Sequence, residues 1–199
     1  VGRVLKFLDD SGLAENTIVI YSSDQGFYLG EHGWYDKRWM FEESFKMPFI
    51  IRWPGVIKPG SRTKALIQNI DYGPTFLNIC GADVPGDMQG RSIVPLLEKS
   101  GEKPDNWREA LYYAYYGERT HQVARHDGIR TERHTLFYVP KYQEWQLFDN
   151  DKDPQQMKSV HGDPEYADVL SRLQKNYQEL KKGYRAHVAL LPDERLGEE

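Results

Sequence analysis

Cysteine is nearly missing from this chain. Cys80 is the only one among 199 residues, so no disulfide can form within the chain. A single cysteine leaves the redox compartment open. Long apolar runs are missing too, and no stretch reaches the length of a membrane span. The sequence shows no leader-like segment, no internal repeat and no low-complexity tract. Positive charge is not in excess. With 26 Lys and Arg against 30 Asp and Glu, the net charge is −4, which argues against nucleic acid as the main partner. It does not exclude a polyanion bound through a local basic pocket.

What is present describes a globular protein. Hydrophobic residues make up 39% of the chain and aromatics 13%, too much for a disordered polymer. The length suffices for one sizeable core or two small ones. The stretch that organises the rest is Ser22-Ser23-Asp24-Gln25-Gly26-Phe27-Tyr28-Leu29-Gly30-Glu31-His32-Gly33, with Lys37 close behind. Before it, Thr17–Tyr21 is a short β-branched run, which reads as a strand buried on both faces, as in a parallel sheet. Ligands of open α/β sheets sit beyond the carboxyl ends of strands, where Asp24 and Gln25 fall. A carboxylate and an amide oxygen suit a hard divalent cation such as calcium or magnesium. Glycines 26, 30 and 33 permit sharp turns and close backbone approach. Lys37 offers a compact positive charge for an anion. On spacing alone an Asp-Gln-Gly at a strand end reads as an ordinary turn, and two oxygen ligands do not complete a calcium shell.

Along the chain, Val4, Leu5 and Leu8 predict a helix end closed near Gly12. The loop from Asp24 to about Glu42 is long and carries four aromatics, which predicts an ordered, functional loop. Residues 41–47 predict a short helix ended at Pro48, and residues 49–53 a second strand. Ala65-Leu66-Ile67 reads as a strand or bridge. Asp71 reads as the N-cap of a helix with Pro74 in its first turn and Gly81 past its end. Cys80 on that helix reads as a small core residue. Lys99–Pro104 is polar with Gly and Pro, the best boundary in the chain, dividing 1–103 from 104–199. Beyond it, four strand candidates (110–116, 123–130, 135–139 and 144–148) follow without helices between them, predicting an antiparallel sheet. Asp163-Pro164-Glu165 opens a last helix with the apolar stripe Tyr166, Leu170, Leu173, Tyr177 and Leu180, ended at Gly183. A charged, loose tail is expected from Pro192.

Ser23-Asp24-Gln25-Gly26, Leu29–Gly33, Tyr35–Trp39, Pro48–Gly55, Ile70–Leu77 and Leu147–Asp149 with Asp153-Pro154 occur in an order and spacing that resembles the second half of a type I sulfatase. The wording is closest to N-acetylglucosamine-6-sulfatase-like and mucin-desulfating enzymes. The resemblance implies an α/β fold: the C-terminal part of an alkaline-phosphatase-like sandwich with a parallel-rich sheet, followed by a small antiparallel subdomain with a C-terminal helix. It implies calcium as cofactor, with Asp24 and Gln25 as metal ligands; the wider pattern has Asn where Gln25 stands. It implies that Lys37 binds the sulfate. The family's nucleophile is a formylglycine made from a Cys/Ser-x-Pro/Ala-x-Arg motif. Cys80–Val84, Ser92–Val94 and Ser61–Thr63 do not fit that motif, so the nucleophile is expected upstream, and the N-terminal remainder of the same protein is an expected partner.

Other readings are kept beside these. His32 and Glu31 are substrate-contact candidates or loop scaffold. His121, Arg125 and His126, set among Tyr115, Tyr116 and Trp145, form a polar cluster that either recognises a sugar or is an exposed basic strand edge. Arg130 is taken as structural, and Asp149 with Asp153 as a turn. The expected substrate is a 6-O-sulfated N-acetylglucosamine in a glycosaminoglycan or mucin glycan. The expected localisation, from the family, is periplasmic, secreted or lysosomal-type. The competing functions are a phosphatase, phosphodiesterase or phosphonate hydrolase of the same superfamily, and a non-catalytic carbohydrate-binding remnant.

Overall fold

The computed structural model describes residues 1–117 and 121–184. The chain forms two compact units, one of Val1–Asp24 with Met47–Arg108, the other of Gln25–Lys46 with the described part of Glu109–Glu199. The expected tail from Pro192 lies outside the described residues.

The first unit opens with α1 (Gly2–Asp10), closed by Gly12 at φ +71. The apolar run ends as β1 (Val19–Ser22), which pairs with β4 (Phe49–Arg52). Here the expectation of a fully buried parallel strand is corrected. The register Val19↔Arg52 to Ser22↔Phe49 is antiparallel, and Tyr21 is exposed. β-branched composition records that a run packs on a pleated surface, but it does not distinguish one direction of pairing from the other. α3 (Tyr72–Ile79) and α4 (Val94–Glu98) follow. Ile93, Leu96, Leu97 and Trp107 form the core, with Ile51, Trp53, Ala65 and Ile67 packed against it. Ala65–Ile67 is therefore an anchored irregular segment and not a strand.

Asp71 also departs from its expected role. Its side chain makes no cap bond to α3. It is fully buried and accepts from both Arg108 guanidinium nitrogens at 2.8 and 2.9 Å, from Gln68 N at 2.8 Å and from Arg91 N at 2.7 Å. A buried carboxylate is tolerable because charge-assisted donors replace its water. Cys80 is exposed at the C-cap of α3, not in the core as expected. A helix stripe read from sequence does not say which of its end residues fall past the packed face.

The second unit is built on a four-stranded antiparallel sheet in the order β5 (Ala110–Tyr115), β6 (His126–Thr131), β7 (His134–Val139), β8 (Glu144–Asp149). Strand alternation divides its residues between two faces. Ile129, Leu136 and Leu147 meet Tyr166, Leu173 and Tyr177 of the segment leading into and forming α5 (Ala167–Gly183). Phe137, Phe148 and Val139 meet Met40, Trp39, Phe41 and Phe45 of the 25–46 segment. α5 starts as expected, with Asp163 Oδ1 accepting from Glu165 N at 3.0 Å after Pro164 enters the first turn. Asp127, fully buried in β6, accepts from Tyr112 and Tyr177 hydroxyls at 2.7 and 2.8 Å and from Lys181 Nζ at 2.7 Å, tying the sheet to the helix.

Candidate active site

Residues 25–46 enter the second unit as a hairpin and return across the sheet. β2 (Tyr28–Leu29) pairs with β3 (Tyr35–Asp36), and Lys37 follows at once. Two glycines make the turn possible, with Gly30 at φ +129 and Gly33 at φ +72. Gly26 serves differently. A Cβ there would lie 2.0 Å from the Glu43 carbonyl oxygen, so only glycine lets the two segments touch. Tyr28, wholly buried, donates its hydroxyl to Trp39 O at 3.0 Å. Burial pushes that phenol well above its ordinary value, so it stays a donor at any working pH. α2 (Glu42–Phe45) closes the segment, and Glu42 pairs with Arg130 at 2.7 Å, which fits the structural reading of Arg130.

Gln25 donates its amide nitrogen to Ser44 O at 2.9 Å and to Ser44 Oγ at 3.1 Å. Those two bonds fix the plane of the amide. Asp24 ends the first unit with an exposed carboxylate, and its backbone oxygen accepts from Asn69 Nδ2 at 3.1 Å. Both residues offer hard oxygen atoms, the donor type that calcium takes. Among the described residues no group of three or more His, Cys, Asp or Glu side chains is placed to hold a metal. By donor type each is compatible with a calcium ligand.

Lys37 is half-buried and makes no hydrogen bond or ion pair among the described residues. Its neighbours are strained: Asp36 has φ +119 and Arg38 φ +104, both in a region that L-residues rarely occupy. Asp36 and Arg38 pair with each other, and His121 Nδ1 lies 3.5 Å from Asp36 Oδ2. The structure thus brings Lys37, Asp36, Arg38 and His121 into one neighbourhood of the second unit. Beside this strained turn, and with no carboxylate paired to it among the described residues, the Lys37 cation is free to meet an anion.

The other predicted residues fall elsewhere. Glu31 accepts from Leu29 N at 2.6 Å, and this backbone donor lowers its carboxyl below the ordinary value. His32 adopts φ +54, stacks on Phe41 at 4.1 Å and sets Nε2 3.3 Å from Glu43 Oε2. Arg125 and His126 are buried, so the segment is not an exposed basic edge. His126 stacks on Trp39 at 4.5 Å, and Nδ1 lies 2.8 Å from the Ala124 carbonyl oxygen, which can only accept. Nδ1 therefore carries the proton. Ser44, the shared acceptor of Gln25 and of Arg38 N, was not singled out from sequence.

Burial drives the His126 pKa down to about 4. The unfolded histidine, at 6.5, binds a proton that the folded one refuses. Stability should therefore fall as pH drops through 6.5 and level off near 4, by about 3 kcal/mol at most. Urea midpoints at pH 7 and pH 5 check this. His126→Asn should flatten the difference, and an equally steep variant would assign the acid sensitivity to other groups.

The second unit is thus an antiparallel sheet with α5 on one face and the 25–46 segment on the other. A family model described as N-sulphoglucosamine sulphohydrolase, C-terminal, matches residues 30–183, and the chain belongs to that family. It is 45% identical over 197 residues to an N-acetylglucosamine-6-O-sulfatase of Bacteroides thetaiotaomicron, covering 98% of this chain and 35% of that protein. A solved structure described as in complex with its substrate, D-glucosamine-2-N,6-O-disulfate, superposes with a TM-score of 0.87 at 46% identity, covering 92% of this chain and 38% of that one. A phosphonate monoester hydrolase of Silicibacter pomeroyi superposes with a TM-score of 0.76 at 28% identity, covering 91% and 38%. The chain thus spans little more than a third of the length of these proteins. No helix among the described residues is long and apolar enough to cross a membrane.

Proposed function

We propose that the protein to which this chain belongs hydrolyses 6-O-sulfate esters of N-acetylglucosamine in a glycosaminoglycan or mucin glycan, outside the cytoplasm. The observation that carries the reading is Lys37, a half-buried cation without a hydrogen bond or ion pair among the described residues, beside a strained turn. Asp24 and Gln25 are each candidates to hold a calcium ion, which when bound would supply Lewis-acid polarisation of a sulfate oxygen. A formylglycine nucleophile is expected in the part of the protein outside this chain. Lys37 binds the sulfate and opposes the charge that grows toward the leaving oxygen. Ser44 fixes the Gln25 amide, and Asp36 with Arg38 fixes the backbone on either side of Lys37. His121, a third exposed, is the sugar contact of this unit. Glu31 and His32 shape the hairpin, and His126 supports Trp39.

The test is desulfation of N-acetylglucosamine-6-sulfate by the full-length protein. Chelation should abolish turnover and calcium restore it. The likeness to a phosphonate monoester hydrolase favours one second reading, and phosphonate monoesters are the substrates that decide between them. Faster turnover of a phosphonate than of any sulfate ester would overturn the sulfatase assignment. His121→Ala should lower turnover of the sulfated sugar at least tenfold more than that of a small aryl sulfate. Equal loss on both substrates would reject a role in specificity.

A further inference from the structure

We propose that Ser44 is a positioning residue that sets the metal-ligand amide of Gln25 and the anion-binding Lys37 in register with each other. The inference rests on the sulfatase reading above. Ser44 is 1% exposed and lies in α2, six residues beyond Arg38 and nineteen beyond Gln25. Its Oγ accepts from Gln25 Nε2 and from Arg38 N, both at 3.1 Å. Its carbonyl oxygen accepts from Gln25 Nε2 and Gly26 N, both at 2.9 Å. A hydroxyl has two acceptor lone pairs, and these two donors use both.

Each donor belongs to a residue beside a working group. Arg38 N is the backbone donor next after Lys37. The Arg38 carbonyl is held from the other side by Tyr113 OH at 2.9 Å. Asp36 and Arg38 both adopt left-handed φ values. Such a turn persists only when its surroundings over-determine it, and Ser44 Oγ and Tyr113 OH both hold Arg38's backbone. Gln25, at the other end, cannot rotate its amide without giving up two bonds to one residue. A single side-chain oxygen thus joins two separate parts of the site. Elsewhere a buried serine satisfied by its own helix would touch only its neighbours.

Substitution isolates the hydroxyl, because any residue at 44 keeps the backbone carbonyl. In the full-length protein, Ser44→Ala should lower kcat on N-acetylglucosamine-6-sulfate about tenfold, the scale of one buried donor left unpaired. KM should move less than threefold. The Kd for calcium alone should rise several-fold, since the Gln25 amide loses its bond to Ser44 Oγ. In a Lys37→Ala background the same change should cost less than twofold in kcat, because the group it positions is gone. Ser44→Cys keeps the volume with a weaker acceptor, and it replaces Ser44→Ala in the same comparisons should the alanine variant unfold.

Equal kcat losses with and without Lys37, or none in either, overturn the proposal. An unchanged calcium Kd overturns its Gln25 half. A parent enzyme that cleaves no sulfate ester sinks the functional reading and this inference with it, a result distinct from an active parent indifferent to Ser44.

Discussion

Lys37→Ala, made in the full-length protein, is expected to lower kcat by roughly 10²–10³, the usual effect of removing one preorganised charge contact. Lys37 is half-buried without an ion pair among the described residues, so no carboxylate neutralises it before an anion arrives. The backbone on both sides is locked in an unfavourable conformation, which costs about 1–3 kcal/mol at each residue and needs a reason to persist. Holding a cation at a fixed point is such a reason. The thermal midpoint should change little, because the side chain is not part of either apolar cluster. Lys37→Arg should restore activity only partly, since a planar guanidinium does not occupy the position of an ammonium. Normal kcat in the alanine variant would make Lys37 an ordinary loop residue and remove the main support for the functional reading.

Phe137→Ala is expected to cost about 3–5 kcal/mol of stability, among the largest losses available in the second unit. Phe137 is 1% exposed and packs on the aromatic rings of Trp39, Phe41, Phe148 and His126 at centroid distances of 6.2, 5.7, 6.2 and 5.7 Å. Met40, Val139 and Ala124 complete the cluster. Removing the ring leaves a cavity that these large neighbours cannot fill without leaving their rotamers. The loss should be read from denaturant unfolding of the second unit's signal, for which Trp39 fluorescence is suitable. Calcium-dependent activity should fall as well, because the cluster seats the segment that carries Lys37. A stability loss below about 1 kcal/mol would mean that the segment is held by its hydrogen bonds and not by this packing.

How much could be read without coordinates varied with the range of the forces involved. The four strands of the second unit and α5 were legible, because alternation, turn residues and a stripe of apolar residues at spacings of four and three are local signals. The 24–37 stretch was legible as a site only through its resemblance; its spacing alone supports a turn. The antiparallel pairing of β1 with β4 was not legible, since residues 19–22 carry no information about strand direction. Asp71 was placed correctly at a helix start, but its partners Arg91 and Arg108 lie 20 and 37 residues on, beyond any local pattern. Ser44 gave no signal at all. A serine after two glutamates looks like an exposed helix residue until the chain folds back onto it.

The two faces of the β5–β8 sheet have a consequence for how this protein tolerates change. Residues of even count along β7, such as Leu136, look toward α5, and their neighbours such as Phe137 look toward the 25–46 segment. Deleting or inserting a single residue at the start of β7 would exchange its two sets, sending Leu136 toward the 25–46 segment and Phe137 toward α5. Length variation should therefore be confined to the turn at Pro140–Gln143, where β7 hands over to β8. Conversely, point changes on the α5 side can alter stability while the sheet separates them from the 25–46 segment. Stability and chemistry can then drift independently in one small subdomain.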